Sequence, residues 1–237
     1  MSMFYGSIFW KLEVGIESTC YTNRLSLLFF CLMFMILGHQ QAIPALFEDR
    51  LVFYRERGAR AYGALPYWFS SWFLQIPLIF INTLVFSSIV YAMSDLNPRE
   101  GGFSYFWGQM FLTSITGLFM AQLIASLAPS AQAAISLFPV GLFFVVAFAG
   151  YIVYIPEFNY WLRVWAPYGS FMRWGFQGLV LNELSNNDAL PLGQEYINNL
   201  AFNTFSMDYC QPIIFVFTLT FSMILLLTLK FINFEER

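Results

Sequence analysis

The chain has 237 residues, of which 59% are hydrophobic, 21% are aromatic and only 11% are charged, and its formal net charge is −3. A soluble domain of ordinary composition carries about 25% charged residues, so this chain has too few charges to cover a globule with a polar surface. The composition excludes a soluble enzyme, a disordered chain, a disulfide-rich scaffold and a basic protein that binds nucleic acid. It is typical of a helical membrane protein that crosses the bilayer several times.

Intervals without charged residues predict where the chain crosses the membrane. About 20 apolar residues of helix span the hydrocarbon core, and a charged side chain inside it is costly. The interval between Glu100 and Glu157 is long enough for two spans and breaks at Pro129, because proline ends a helix. Residues 1–10 reach only about 15 Å as a helix, and we interpret them as the end of a span that begins before them. The predicted spans are about 1–10 (partial), 25–45, 66–93, 103–127, 132–154 and 212–231.

The segments between the spans differ in composition. Residues 47–60 alternate charged and apolar residues at helical spacing, with Leu51, Val52 and Tyr54 on one side and the charges on the other. This pattern predicts an amphipathic helix along the inner membrane surface, and its dense arginines favour a cytoplasmic location. Residues 155–211 then lie outside. Within them, 156–184 are rich in Trp and Tyr and predict short helices at the outer leaflet, whereas 185–208 are polar and predict an exposed loop.

Few residues point to chemistry. The sequence has no phosphate-binding loop and no metal-binding motif, so we expect no metal and no cofactor bound by this chain. The one histidine, His39, fits either a proton relay or a hydrogen bond between helices. Cys20 and Cys210 both fall on the predicted outer side, where they form either a disulfide or two free thiols. Cys31 lies within a span and is interpreted as a packing residue.

Five short segments carry a family resemblance. These are Asp49–Glu56, Tyr62–Tyr67 with the later Pro77, Phe148–Tyr151, Ile155–Pro156, and the stretch from Tyr168 through Asn182–Leu184. Together they resemble the membrane domain of G-subfamily ABC transporters, the group of white-like half-transporters and pleiotropic-drug-resistance-type full transporters. The resemblance covers nearly the whole chain. It implies an all-α integral membrane fold with six spanning helices, the first of them truncated here, and an outer re-entrant helical segment.

The resemblance also implies a function. In such transporters two membrane domains, identical or different, enclose a cavity in the bilayer, and two nucleotide-binding domains use ATP and Mg²⁺ to switch it between inward and outward openings. This chain would then be the membrane half of an exporter or flippase for a hydrophobic or lipid-like substrate. Its nucleotide-binding domain would lie upstream or on a separate chain, because the sequence has no Walker motif. The competing interpretations are an ATP-independent channel and a non-transporting membrane subunit.

The same resemblance assigns site residues by position. The residues that would couple the membrane domain to the nucleotide-binding domain are Asp49, Arg50, Arg55 and Glu56. Those that would line the substrate cavity are Phe30, Leu37, Phe143, Val146 and Phe148. Tyr151 and Ile152 would form an apolar outer gate, in place of the leucines common in that family. No residue is expected to be catalytic.

Overall fold

The computed structural model describes residues 2–12, 15, 17–185, 187 and 189–231. Met1 of the partial span and positions 186 and 188 of the polar loop lie outside the described residues. Within the described part the chain forms helices and no strand. The α-helices are α1 (Ser2–Ile8), α2 (Ser18–Gly38), α3 (Ile43–Gly58), α4 (Ala64–Ser94), α5 (Gly102–Leu127), α6 (Ala131–Ala147), α7 (Tyr160–Arg163), α8 (Phe171–Leu184), α9 (Gly193–Asn199) and α10 (Met207–Phe231).

Four helical segments are long and apolar enough to cross a membrane. They are α2 together with α3, then α4, α5 and α10. Helix α6 is equally apolar, but its 17 residues reach only about 26 Å, a little less than a hydrocarbon core of about 30 Å.

Helix α5 lies at the centre of the bundle, where it packs against α2, α3, α4, α6, α8 and α10. Gly117, Ala121 and Ala125 follow one another at four-residue intervals along it, so α5 presents a smooth surface to its neighbours. A Cβ atom at Gly117 would lie 3.2 Å from Cγ2 of Ile36, so the glycine allows α2 to approach closely. Hydroxyl pairs join α5 to α10: the Oγ1 atoms of Thr116 and Thr218 lie 2.7 Å apart.

A buried ion pair holds together the end of the bundle at which α2 begins. Arg24 of α2 donates a hydrogen bond to the carboxylate of Glu183 in α8, and both residues are 1% exposed. Arg24 also donates to the carbonyl of Leu12 over 3.1 Å, and the backbone N–H of Asn97 donates to Glu183 over 3.0 Å. Because buried charges must be paired, these bonds fix four segments of the chain at one point.

This ion pair explains why α2 differs from its predicted span of 25–45. The prediction began after Arg24 because a charge was taken as the limit of a span. In the structure the charge of Arg24 is compensated inside the protein, and α2 runs from Ser18 to Gly38. A 3₁₀ turn, His39–Ala42, then leads into α3.

Two further segments differ from the predictions. Helix α6 ends at Ala147 rather than near 154, and Gly150 adopts a left-handed backbone with φ of 85°. A Cβ there would lie 3.1 Å from Ile155, so the chain turns tightly at this point. The exposed loop predicted over 185–208 is wrong in part, because it contains α9, which buries Ile197 and stacks Tyr196 on Tyr21 with ring centroids 4.5 Å apart.

We expect Glu183→Ala to destabilise the fold strongly, because it leaves Arg24 buried without its counter-charge. Removing one partner of a buried pair costs about 3–5 kcal/mol. The melting temperature of the detergent-purified protein measures the loss. Glu195→Ala, which removes an exposed carboxylate of α9, is the matched control. The double variant Arg24→Met, Glu183→Met should recover part of the loss, and a single variant that melts like the parent would contradict the role of the pair.

Candidate functional site

Helix α3 lies across one end of the bundle with a single face turned inwards. Pro44 stands in its first turn, where the missing N–H of proline is tolerated. The inward face carries Arg50, Phe53, Tyr54 and Arg57, the i, i+3, i+4, i+7 spacing of one helix face, and the first three are buried. The Phe53 ring stacks on Tyr67 of α4 with centroids 4.5 Å apart.

The faces of α3 differ from the prediction in the placement of the charges. Tyr54, predicted on the apolar side, is buried, and Leu51 and Val52 of that side are 43% and 47% exposed, as apolar side chains turned to a membrane are. The prediction placed all charges on the opposite side, whereas Arg50 and Arg57 lie on the inward face with Tyr54. The physical reason lies in what those arginines bind.

Arg50 binds the end of α5. Its Nη1 donates to the carbonyls of Ala125, Ser126 and Ala128 over 2.7, 3.1 and 2.9 Å. The last carbonyls of a helix have no intrahelical donor, and a cation there also interacts favourably with the helix dipole. The guanidinium lies 4.1 Å from the centroid of the Phe47 ring, so the charge is stabilised by an aromatic face as well.

Arg57 makes the equivalent contact with α10. Its Nη1 donates to the carbonyl of Leu229 over 2.6 Å, and its Nη2 donates to that of Lys230 over 2.9 Å. Arg50 and Arg57 stand two helical turns apart, so α3 joins the ends of two spanning helices. The residues just after α5 and the last residues of α10 therefore meet at α3.

The four predicted coupling residues fall into two pairs. Asp49 and Arg55 have exposed side chains and are available to a partner. Arg50 is used within the bundle, and the carboxylate of Glu56 accepts a hydrogen bond from the hydroxyl of Tyr62. That hydrogen bond raises the pKa of Tyr62 to about 12, so Tyr62 keeps its proton and remains a donor at physiological pH.

The five predicted cavity residues differ in their exposure. Phe30 and Leu37 of α2 and Phe143 of α6 are 45%, 38% and 68% exposed. Val146 is buried, so it contributes to the chain's own core rather than to an open surface. Phe148 is half-buried and packs against Phe158 with ring centroids 5.6 Å apart.

The two predicted gate residues point in different directions. Tyr151 packs within its own chain, where its hydroxyl lies 2.7 Å from the Oγ of Ser26 and its ring stacks on Phe29 with centroids 4.4 Å apart. Ile152, in contrast, is 60% exposed. Of the two side chains, that of Ile152 is the exposed one.

In the structure Cys20 and Cys210 are buried free thiols, which is the second of the two alternatives, and Cys31 is a buried free thiol as well. Cys20 lies in α2 and Cys210 lies in α10. Helix α8 packs against both of these helices. The Sγ of Cys210 donates instead to the carbonyl of Ser206 over 3.9 Å.

The structure favours the second interpretation of His39. Its Nε2 lies 3.0 Å from the Oγ of Ser114 in α5, which is a hydrogen bond between helices. Within the described residues, no group of three His, Cys, Asp or Glu side chains is placed to hold a metal ion.

Sequence reasoning missed Arg57 as a site residue and did not pair Arg24 with Glu183. The signal for Arg57 was its spacing of seven residues from Arg50, which places both on one helix face. The Arg24–Glu183 pair left no local signal, since the two residues are far apart in the sequence.

Comparison with known proteins identifies the family. The model of the ABC-2 type transporter family matches residues 1–184, which is more than half of the chain. The chain belongs to this family. It is 30% identical over 183 residues, or 77% of its length, to ABC transporter G family member 2 of Dictyostelium discoideum. It is 28% identical over 209 residues, or 85% of its length, to ABC transporter G family member 7 of Arabidopsis thaliana.

These relatives define the subfamily. A further relative, pleiotropic drug resistance protein 1 of Nicotiana tabacum, is 27% identical over 190 residues and 78% of the chain. The chain spans only 14%, 28% and 13% of the lengths of these three proteins, in the order given. It is a multi-pass integral membrane domain of the G-subfamily type.

All three cysteines of this membrane domain should react as free thiols. We expect three additions of a polyethylene-glycol maleimide when the protein is denatured without reductant, and the same three after reductant, because no disulfide needs to be broken. Gel mobility counts the additions. The variant Cys31→Ser should show two. A sample that gains two additions only after reduction would contradict the free thiols at Cys20 and Cys210.

Proposed function

We propose that this chain is the membrane-spanning half of an ATP-driven transporter and that α3 is its contact with a nucleotide-binding domain. The observation that supports this proposal most strongly is that the two faces of α3 have different contacts. Its inward face is bonded to the ends of α5 and α10, and its outward face keeps the charges of Asp49 and Arg55 exposed. A helix built this way suits the transfer of a force from an external partner to the bundle.

In this proposal the nucleotide-binding domain binds ATP and Mg²⁺ and carries out hydrolysis, while this chain supplies the pathway. Such a domain lies on the same polypeptide or on a separate chain. The exposed side chains of α3 would meet it through charge-assisted hydrogen bonds, which are roughly twice as strong as neutral ones.

The pathway itself would form between this chain and a second membrane domain, either identical or different. Phe30, Leu37 and Phe143 expose aromatic and aliphatic surface, which in this proposal faces the second membrane domain rather than lipid. A cavity with such walls gains affinity mainly by burying apolar groups, so the substrate class we propose is hydrophobic or lipid-like. Alternating access, driven by ATP, would export or flip it.

The outer gate of this pathway would consist of Ile152 from each chain, with Tyr151 as its support. The hydrogen bond of Tyr151 to Ser26 and its stacking on Phe29 hold the loop after α6, so that the neighbouring isoleucine faces outwards. Apolar side chains at this position would exclude water and ions from the closed pathway.

Charge removal on the outward face of α3 should reduce transport while leaving the bundle folded. We expect Asp49→Asn with Arg55→Gln to lower ATP-dependent substrate flux about tenfold, the factor that corresponds to about 1.4 kcal/mol of lost interaction. Flux is measured in vesicles containing the transporter assembled with its nucleotide-binding domains. Arg99→Gln, an exposed arginine between α4 and α5, is the control and should not change flux. Flux that needs no nucleotide in the parent would favour a channel and contradict this proposal.

Cross-linking should separate the two residues of the predicted gate. With the native cysteines replaced by serine, Ile152→Cys should cross-link to the equivalent position of a second copy if the chain forms a homodimer, because its side chain is exposed. Tyr151→Cys is the matched control and should not cross-link, because that position packs on Phe29 within its own chain. Equal cross-linking at both positions, or cross-linking only at Tyr151, would exclude Ile152 as the contact.

A further inference from the structure

Helix α3 is attached to the spanning helices in chemically different ways. The 3₁₀ turn His39–Ala42 joins it covalently to α2. Its attachments to α5 and α10 include the hydrogen bonds that Arg50 and Arg57 donate to backbone carbonyls. These carbonyls belong to the helix ends themselves, so a shift of either arginine acts on the backbone of a spanning helix rather than on a side chain that can turn away.

The two arginines are suited to this task by their chemistry. The guanidinium stays charged at all relevant pH values and presents several donors in a rigid plane. Arg57 uses two nitrogens for two successive carbonyls of α10, which defines an orientation as well as a distance. Seven residues of helix separate the two attachments by about 10 Å along the axis of α3, so a tilt of α3 would move the two helix ends by different amounts.

We propose that Arg50 and Arg57 are positioning residues that carry a movement of α3 to the inner ends of α5 and α10. This inference rests on the proposed function, in which the movement begins at a nucleotide-binding domain. Arg57 provides the sharper test, since α3 packs closely on α5 and α6 but touches α10 mainly through side chains. Arg50 is the riskier position to change, because it is 3% exposed and its loss would remove a donor from two carbonyls of α5 and from that of Ala128, which follows α5.

The test compares Arg57→Gln, Arg57→Lys and the control Arg60→Gln in the transporter assembled with its nucleotide-binding domains. The readouts are the rate of ATP hydrolysis and the amount of substrate moved per ATP hydrolysed. For Arg57→Gln we expect ATP hydrolysis to persist while the transport ratio, the amount of substrate moved per ATP hydrolysed, falls about tenfold. A tenfold change corresponds to the loss of about 1.4 kcal/mol of interaction free energy. Arg57→Lys, which keeps the charge and can still reach a carbonyl, should recover part of the ratio. Arg60→Gln removes an exposed arginine of the same segment and should leave both readouts unchanged.

Two outcomes would overturn the inference. One is an unchanged transport ratio in Arg57→Gln. The other is an equal fall of hydrolysis and transport, which is what a loss of folded protein alone produces. If the parent protein shows no nucleotide-dependent transport, the proposed function fails. The parent is measured before the variants, so this failure is distinguished from a failure of the inference about Arg57.

A distance measurement tests the attachment without relying on transport. Spin labels on Val52→Cys of α3 and Leu227→Cys of α10, both exposed positions, report the separation of the two helices. With Arg57 in place we expect a single narrow distance distribution, and with Arg57→Gln a distribution at least twice as broad. Equal distributions in the two backgrounds would show that Arg57 does not hold α3 to α10.

Discussion

Buried backbone carbonyls at the end of a helix need donors, and this requirement determines how α5 ends against α3. The last four carbonyls of a helix lack an intrahelical partner, and burying such a group without a hydrogen bond is costly. At the end of α5, Arg50 supplies the donor, and Arg57 donates to the carbonyls of Leu229 and Lys230 in the last described turn of α10. Since both arginines stand on α3, that helix must lie across the two ends, with Asp49 and Arg55 left on the outside.

At the other end of the bundle, an ion pair compensates a buried charge. Helix α8 is buried on all sides from Phe171 to Leu184, so the carboxylate of Glu183 lies away from water and requires a cation. Arg24 provides it from α2, and the N–H of Asn97 adds a further donor. Helix α8 is therefore part of the packed core of the domain, and α9 extends this core by burying Ile197 and stacking Tyr196 on Tyr21.

The sequence predicted the helices best where charged or helix-breaking residues really do mark the ends of a span. The predicted spans 66–93 and 103–127 correspond closely to α4 (Ala64–Ser94) and α5 (Gly102–Leu127). The agreement is close because Arg60, Asp95 and Pro129 lie just beyond the ends of these helices. The same rule failed for α2, since a charge with a buried partner is no longer excluded from a helix. It also failed for α6, where the left-handed conformation of Gly150 and its contact with Ile155 depend on tertiary packing that no local pattern contains.

The candidate site shows a related limit of pattern reading. Helical spacing located α3 correctly in the sequence, but the pattern placed all its charges on the side away from Tyr54, whereas Arg50 and Arg57 share the inward face with Tyr54. An arginine can be more stable inside than a leucine when the interior offers several carbonyls that lack donors, because the hydrogen bonds compensate for its desolvation. One helix face can consist of residues at i, i+3, i+4 and i+7 whatever their polarity. The residues at this spacing in α3 are Arg50, Phe53, Tyr54 and Arg57. What decides between the two faces is the position of the α5 and α10 ends, and these ends come from residues 75 to 173 positions later in the chain.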